Sequence, residues 1–223
     1  AVVRSYGILY IADEVVTGFG RLGHWFASEP VFGVVPDMII FAKGVTSGYL
    51  PLGGFVVSEG LLNQVSGPAA NGNIFSTGYT WSANPVSCSA ALAVWEIIER
   101  EQILEHVRGV SGYFLEQLNT LTALPLVREV RGQGLMAAID LMPPADLLSG
   151  SALDQDYALG DLVDECCYAR GLIVRPLINV CVISPPLIIT RTQIDELVEK
   201  FRAGIEAAAI ELSRRYPCTD ESL

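Results

Sequence analysis

Two short apolar runs, each ending on a charged residue, constrain this chain more than any other feature. The first is Ile8-Leu9-Tyr10-Ile11-Ala12, which stops on Asp13-Glu14; the second is Met38-Ile39-Ile40-Phe41-Ala42, which stops on Lys43. Continuous apolar runs of this length read as strands buried on both faces of a mainly parallel sheet. Ligands of such sheets bind beyond the carboxyl ends of the strands. As parallel neighbours, the two runs would deliver Asp13 and Lys43 into one crevice. On spacing alone that pair is either an ordinary ion pair or the cradle of a cofactor. A carboxylate and an amine so placed suit pyridoxal 5′-phosphate (PLP), whose ring nitrogen is kept protonated by a carboxylate and whose aldehyde is taken by a lysine.

The residues around the two charges carry more. Leu9-Tyr10-Ile11-Ala12-Asp13-Glu14-Val15-Val16-Thr17-Gly18-Phe19-Gly20-Arg21-Leu22-Gly23 resembles the signature of class III aminotransferases, a branch of the fold type I PLP enzymes. Phe41-Ala42-Lys43-Gly44 with Ser47-Gly48-Tyr49-Leu50-Pro51-Leu52-Gly53-Gly54 resembles that family's lysine loop, in the form typical of the ω-amino acid:pyruvate transaminases. Further along, Val130-Arg131-Gly132-Gln133-Gly134-Leu135-Met136, Gly171-Leu172-Ile173-Val174-Arg175 and Ser184-Pro185-Pro186-Leu187 resemble the family's small-domain motifs in the right order. The resemblance implies an α/β chain of the PLP-dependent transferase fold type I. Residues 1–101 would form the second half of the large domain, with part of its mainly parallel sheet, and residues 102–223 a small α+β C-terminal domain. The family's Gly-Ser phosphate loop and ring-stacking aromatic belong upstream of Ala1, so a C-terminal fragment with half a cofactor site is expected, inactive by itself. The start at Ala1, without Met, points the same way.

The resemblance also implies roles. Lys43 is the Schiff-base lysine and the base that moves a proton, which requires an amine that can lose its own. Asp13 contacts the pyridinium nitrogen and Val15 lies against the ring, while Glu14 supports the site through hydrogen bonds. Thr80 reaches the cofactor phosphate of the neighbouring subunit, which makes a homodimer with shared active sites. Tyr79 and Trp81 flank it as pocket residues. Arg175 binds the keto-acid carboxylate, for which a planar guanidinium is suited. One departure stands out: Ile178 occupies the place of a turn glycine in Arg175-Pro176-Leu177-Ile178-Asn179. The activity implied is ping-pong transfer of an amino group from an amine or ω-amino acid to a keto acid, with pyruvate as the acceptor. A class III aminomutase would keep Lys43 and Asp13, and a non-catalytic fragment that only dimerises would keep the ancestry alone.

Composition narrows the other classes. With 14 Lys and Arg against 25 Asp and Glu, a net charge of −11 leaves no basic patch for nucleic acid or an anionic membrane. The 51% hydrophobic content supports a large core, yet no uninterrupted apolar run is long enough for a spanning helix. Five scattered cysteines without a C-x-x-C pair fit free thiols in a reducing cytosol, and two distant histidines make a metal site unexpected. Gly18-Phe19-Gly20-Arg21-Leu22-Gly23 formally matches the dinucleotide motif G-x-G-x-x-G. A dehydrogenase would need those glycines to open a helix, whereas Pro30, Gly33 and Pro36 break the segment that follows.

Periodicity predicts a strand at Phe55–Val57, a short helix over Glu59–Val65 and a loop from Gly67 to Gly78. A helix over Val86–Arg100 would be capped by Asn84 with Pro85 in its first turn. Next come a helix over Gln102–Leu121, strands at Val127–Val130 and Leu135–Leu141, and a helix near Tyr157–Arg170. Strands near Leu172–Val174 and Val180–Ile183 and a helix over Arg191–Arg215 complete the pattern.

Overall fold

A computed structural model describes residues 2–67, 71–143 and 151–215. Cys218 and part of the expected loop from Gly67 to Gly78 lie outside them. The chain divides into two compact units, residues 1–107 and 108–223.

The first unit opens with a single helical turn, α1 (Val2–Ser5), ahead of β1 (Ile11–Asp13). β1 runs parallel to β2 (Met38–Phe41), and β2 runs antiparallel to β3 (Gly54–Val57), in the order β1-β2-β3. Helices α2 (Glu59–Val65) and α3 (Pro85–Arg100) follow. The start of α3 is fixed as its sequence dictates: Asn84 Oδ1 accepts from the amides of Val86 and Ser87 at 3.0 and 3.3 Å, and Pro85 needs no partner at the first position.

The core of this unit is aromatic. Phe19 sits among Trp25, Phe26, Phe41 and Trp95, with Val45, Ala91 and Leu52 packed around it. Ile8, Leu9, Ile11, Ile40, Phe55 and Val56 are all exposed, since three strands and the aromatic cluster of this unit do not supply a layer for both faces. On the open side, Leu9, Met38, Phe55, Val57, Leu61 and Phe75 help line an apolar cavity of about 250 Å³.

The second unit is an antiparallel sheet with three long helices, the first of which starts a few residues before the division at Val107. Helix α4 (Ile103–Asn119) leads through a 3-10 turn to β4 (Val127–Gln133) and β5 (Met136–Leu141). After α5 (Ala152–Tyr168), β6 (Arg175–Leu177) and β7 (Val180–Ile183) form a hairpin, giving the order β4-β5-β7-β6, and α6 (Arg191–Arg215) closes the unit. Helix α5 begins five residues before the expected Tyr157 because Ser151 and Asp154 form a capping box, with bonds of 3.3 and 3.2 Å. The strand expected at Leu172–Val174 lies instead at Arg175–Leu177. Proline is tolerated there because β6 is an edge strand.

Along α6 the buried positions Ile194, Val198, Phe201, Ile205, Ala208 and Leu212 recur at intervals of three and four, the apolar stripe of an amphipathic helix. Each large side chain in such a stripe contributes about 1.5–3 kcal/mol on burial. Cys167 and Cys181 lie in this core, where burial pushes both thiols up to about 12. No described helix is long and apolar enough to cross a membrane.

Candidate active site

Parallel pairing places the two charges as the strand pattern demands. The register Ile11↔Met38, Ala12↔Ile39, Asp13↔Ile40 ends β1 opposite the middle of β2, and Ile40 in turn faces Phe55 of β3. Asp13, Ile40 and Phe55 therefore form one cross-strand row on one face of the sheet. β2 runs on through Phe41 and Ala42 to Lys43, which opens a 3-10 turn. Both Asp13 and Lys43 thus stand at the carboxyl end of the parallel pair, and both are exposed.

They are not an ion pair. Asp13 Oδ1 accepts from the Val15 amide at 3.0 Å, which fixes the carboxylate, while Oδ2 has no donor among the described residues. The Lys43 side chain forms neither a hydrogen bond nor an ion pair among them. An oriented carboxylate with one oxygen to spare and an uncommitted amine fit PLP, which offers a protonated ring nitrogen to one and an aldehyde to the other.

Glu14 anchors the loop that follows. It is 2% exposed, and its carboxylate accepts from the Thr17 hydroxyl (2.8 Å), the Ala27 amide (2.9 Å), and the Ser28 amide and hydroxyl (2.7 and 2.5 Å). Burial opposes ionisation, but the donors from Ser28, Ala27 and Thr17 outweigh it and hold the carboxyl below the ordinary glutamate range. Residues 14–28 are thereby closed into one loop around a single buried charge. Within it the amides of Gly18, Phe19, Gly20 and Gly23 donate to the carbonyls of Glu14, Trp25, His24 and Gly20. A dinucleotide site needs amides free for a pyrophosphate at a helix start. Here these four are consumed and no helix follows, so the G-x-G-x-x-G match has no phosphate-binding meaning.

Val15 is half-buried beside Asp13. Tyr79, Thr80 and Trp81 lie on the exposed segment before α3, with Tyr79 and Trp81 at 90% and 78% exposure, and their side chains make no hydrogen bond or ring contact among the described residues. Arg175 belongs to the second unit and begins edge strand β6, paired with Val182. Its guanidinium is likewise uncommitted among the described residues.

The hairpin after Arg175 keeps a two-residue turn despite its missing glycine. Ile178 takes φ +63° while Asn179 does not enter the left-handed region, the pattern of a type II′ turn whose first position favours glycine. The tip is held on two sides. Asn179 Nδ2 donates to Leu141 O at 2.7 Å and Leu141 N returns a bond to Asn179 O at 2.9 Å. On the other side the Ile178 carbonyl rests on Gly160 of α5, so close that any Cβ at Gly160 would overlap it.

Sequence reading did not find Asp140, whose buried carboxylate takes Arg128 at 2.6 Å and Arg131 at 3.4 Å. Its one signal was an acid inside an otherwise apolar strand, Met136–Leu141.

Comparison with known proteins identifies the family. The family model described as aminotransferase class-III matches residues 1–205. The chain is 38% identical over 209 residues to the putrescine–pyruvate aminotransferase of Pseudomonas aeruginosa, covering 93% of this chain and 44% of that protein. It is 37% identical over 211 residues to a probable gamma-aminobutyrate transaminase 4 of Oryza sativa subsp. japonica, covering 93% and 42%. The crystal structure of an (S)-enantioselective omega-transaminase from Thermomicrobium roseum superposes with a TM-score of 0.80 at 37% identity, over 93% of this chain and 45% of that one. The chain spans less than half the length of the curated relatives it matches.

Proposed function

The chain belongs to the class-III aminotransferases, and from that membership we propose that its protein transfers an amino group from an amine or ω-amino acid to a keto acid, with pyruvate as acceptor. One observation carries the reading: Asp13 and Lys43 stand, uncommitted to each other, at the carboxyl end of adjacent parallel strands. PLP, when bound, supplies an electron sink that lets a proton leave the carbon bearing the amine. Asp13 would hold the ring nitrogen through Oδ2, since Oδ1 is tied to Val15. Lys43 would hold the aldehyde carbon, and its Nζ would serve as the base that moves a proton from one carbon to another.

Val15 would close one face of the ring. Thr80 would donate to the cofactor phosphate held by a second copy of the chain, making a homodimer with shared sites, and Tyr79 and Trp81 would line the entrance. Arg175 would grip the keto-acid carboxylate in a bidentate pair. Borohydride treatment of the complete, PLP-loaded protein tests this. The expected result is one pyridoxyl group on the Lys43 peptide, lost in Lys43→Ala, together with pyruvate-dependent turnover of an amine. Label elsewhere, or none on a protein that retains PLP, refutes the assignment.

A further inference from the structure

Three non-glycine residues of the first unit adopt left-handed backbone within one small contact: Phe19 (φ +55°), Lys43 (φ +45°) and Ser47 (φ +51°). L-residues avoid this region, and strained residues persist only where their surroundings over-determine them. The surroundings here are specific. Gly44, next to Lys43, lies so close to Phe19 that a Cβ on it would sit 2.9 Å from Phe19 Cβ and 3.3 Å from Gly18 O. The Phe19 ring is held by Trp25, Phe26 and Phe41 at 5.4–6.3 Å and stacked on Trp95 at 6.0 Å. On the far side of Lys43, Val45 and Thr46 are each 1% exposed, and Thr46 Oγ1 donates to Leu50 O at 2.5 Å. The backbone is thus bolted on both sides of Lys43 while the lysine side chain is exposed and uncommitted.

We propose that Phe19 is the positioning residue of Lys43: packed on Gly44, it locks the peptide after the lysine and keeps Lys43 in its strained conformation. This rests on the role given to Lys43 above. The physical link is leverage. Relaxation of Lys43 to an ordinary negative φ would swing its Cα–Cβ bond, and the amine at the end of four methylenes moves furthest. Misplacement of a reacting group by about 1 Å costs up to about 100-fold in rate. The Gly-rich loop, whose amides are spent on its own closure, acts as a wedge between the aromatic core and the lysine turn.

The test uses the complete, PLP-loaded protein and the pH titration of the absorbance of its lysine-bound cofactor, a readout of the environment at Lys43 Nζ. Gly44→Ala forces the wedge out, and Phe19→Leu loosens the ring's anchorage while keeping its Cβ; Trp95→Leu weakens the same cluster without touching Gly44. Both Gly44→Ala and Phe19→Leu are expected to move the titration midpoint and lower kcat about 10- to 100-fold, with Phe19→Tyr restoring both. Trp95→Leu is expected to lower the melting temperature with the midpoint unmoved. An unmoved midpoint in Phe19→Leu overturns the proposal, and so does an equal shift in Trp95→Leu. If Gly44→Ala does not fold, the Phe19 and Trp95 variants decide by themselves. A parent protein that carries no cofactor on Lys43 instead overturns the function proposed above.

Discussion

The hairpin that carries Arg175 gives a test in which two effects of one substitution oppose each other. Gly160 lies inside α5, where alanine is favoured over glycine by about 1 kcal/mol. Helix propensity alone therefore makes Gly160→Ala stabilising. Packing reverses the sign. The added Cβ would overlap the Ile178 carbonyl oxygen, lie 3.0 Å from its carbonyl carbon and 3.3 Å from Pro176 Cβ. Two of these atoms are backbone and cannot rotate away. The hairpin tip must lift, which strains a packed site by about 1–3 kcal/mol and pulls on the paired bonds between Asn179 and Leu141, each contributing about 1 kcal/mol. The net expectation is a loss of about 2–3 kcal/mol. Gly109 in α4 supplies the control, because a Cβ there meets nothing within 4 Å. Gly109→Ala is expected to gain up to about 1 kcal/mol. Urea unfolding of both variants followed by circular dichroism measures the two signs. If Gly160→Ala stabilises as Gly109→Ala does, the close approach of the hairpin to α5 is wrong.

Two further outcomes follow from the site. Glu14→Gln replaces an acceptor for four donors by a group with one acceptor oxygen and an NH₂ that faces those donors, so a loss of about 3 kcal/mol is expected at pH 7. Because the folded carboxyl lies below its ordinary value of 4.5, its contribution is complete above that value and disappears as pH falls through the folded one. The gap between parent and variant, measured by denaturant unfolding, should therefore be constant near neutrality and close only in acid; a gap that widens in acid would contradict the assignment. Arg175→Ala should raise the KM for pyruvate about 10- to 100-fold, the contribution of a charged bidentate pair. The half-reaction with an amine lacking a carboxylate should proceed at the parent rate, as single-turnover absorbance would record.

Much of this fold was legible because local signals agreed with the final structure. Asn84-Pro85 marked the start of α3, and α6 occupies the span Arg191–Arg215 expected for it. Glu59–Val65 was equally plain. Where sequence reading slipped, a pairing partner decided the matter. Ile8 to Tyr10 are as apolar as Ile11, but β1 begins only where the register with β2 begins. Likewise Leu172–Val174 looks more strand-like than Arg175-Pro176-Leu177, yet only the latter lies opposite Val180–Val182 across a two-residue turn. Propensity is a property of a segment, whereas a strand is a property of two.

The site divides along the same line. The placement of Asp13 and Lys43 at one end of the sheet was legible because a strand end is a local event: an apolar run stops, a charge follows, and parallel pairing does the rest. What surrounds them was not visible. Nothing in the string Thr17-Gly18-Phe19-Gly20 says that its amides will be spent on Glu14, His24 and Trp25, so the same letters serve a phosphate cradle in one fold and a closed wedge here. The difference lies in Glu14, one residue after Asp13, whose buried charge gathers donors from residues 17 to 28 and leaves the loop only one shape. Gly18 and Gly44 are small because other atoms must approach them, the Glu14 carbonyl in one case and Phe19 Cβ with the Gly18 carbonyl in the other, not because the chain must bend. Ile178 is the converse case, a turn position that keeps its left-handed backbone without the glycine that would make it easy. Its strain is borne by Gly160 below and Leu141 beside it, so the glycine missing from the turn is answered by one in the helix that supports it.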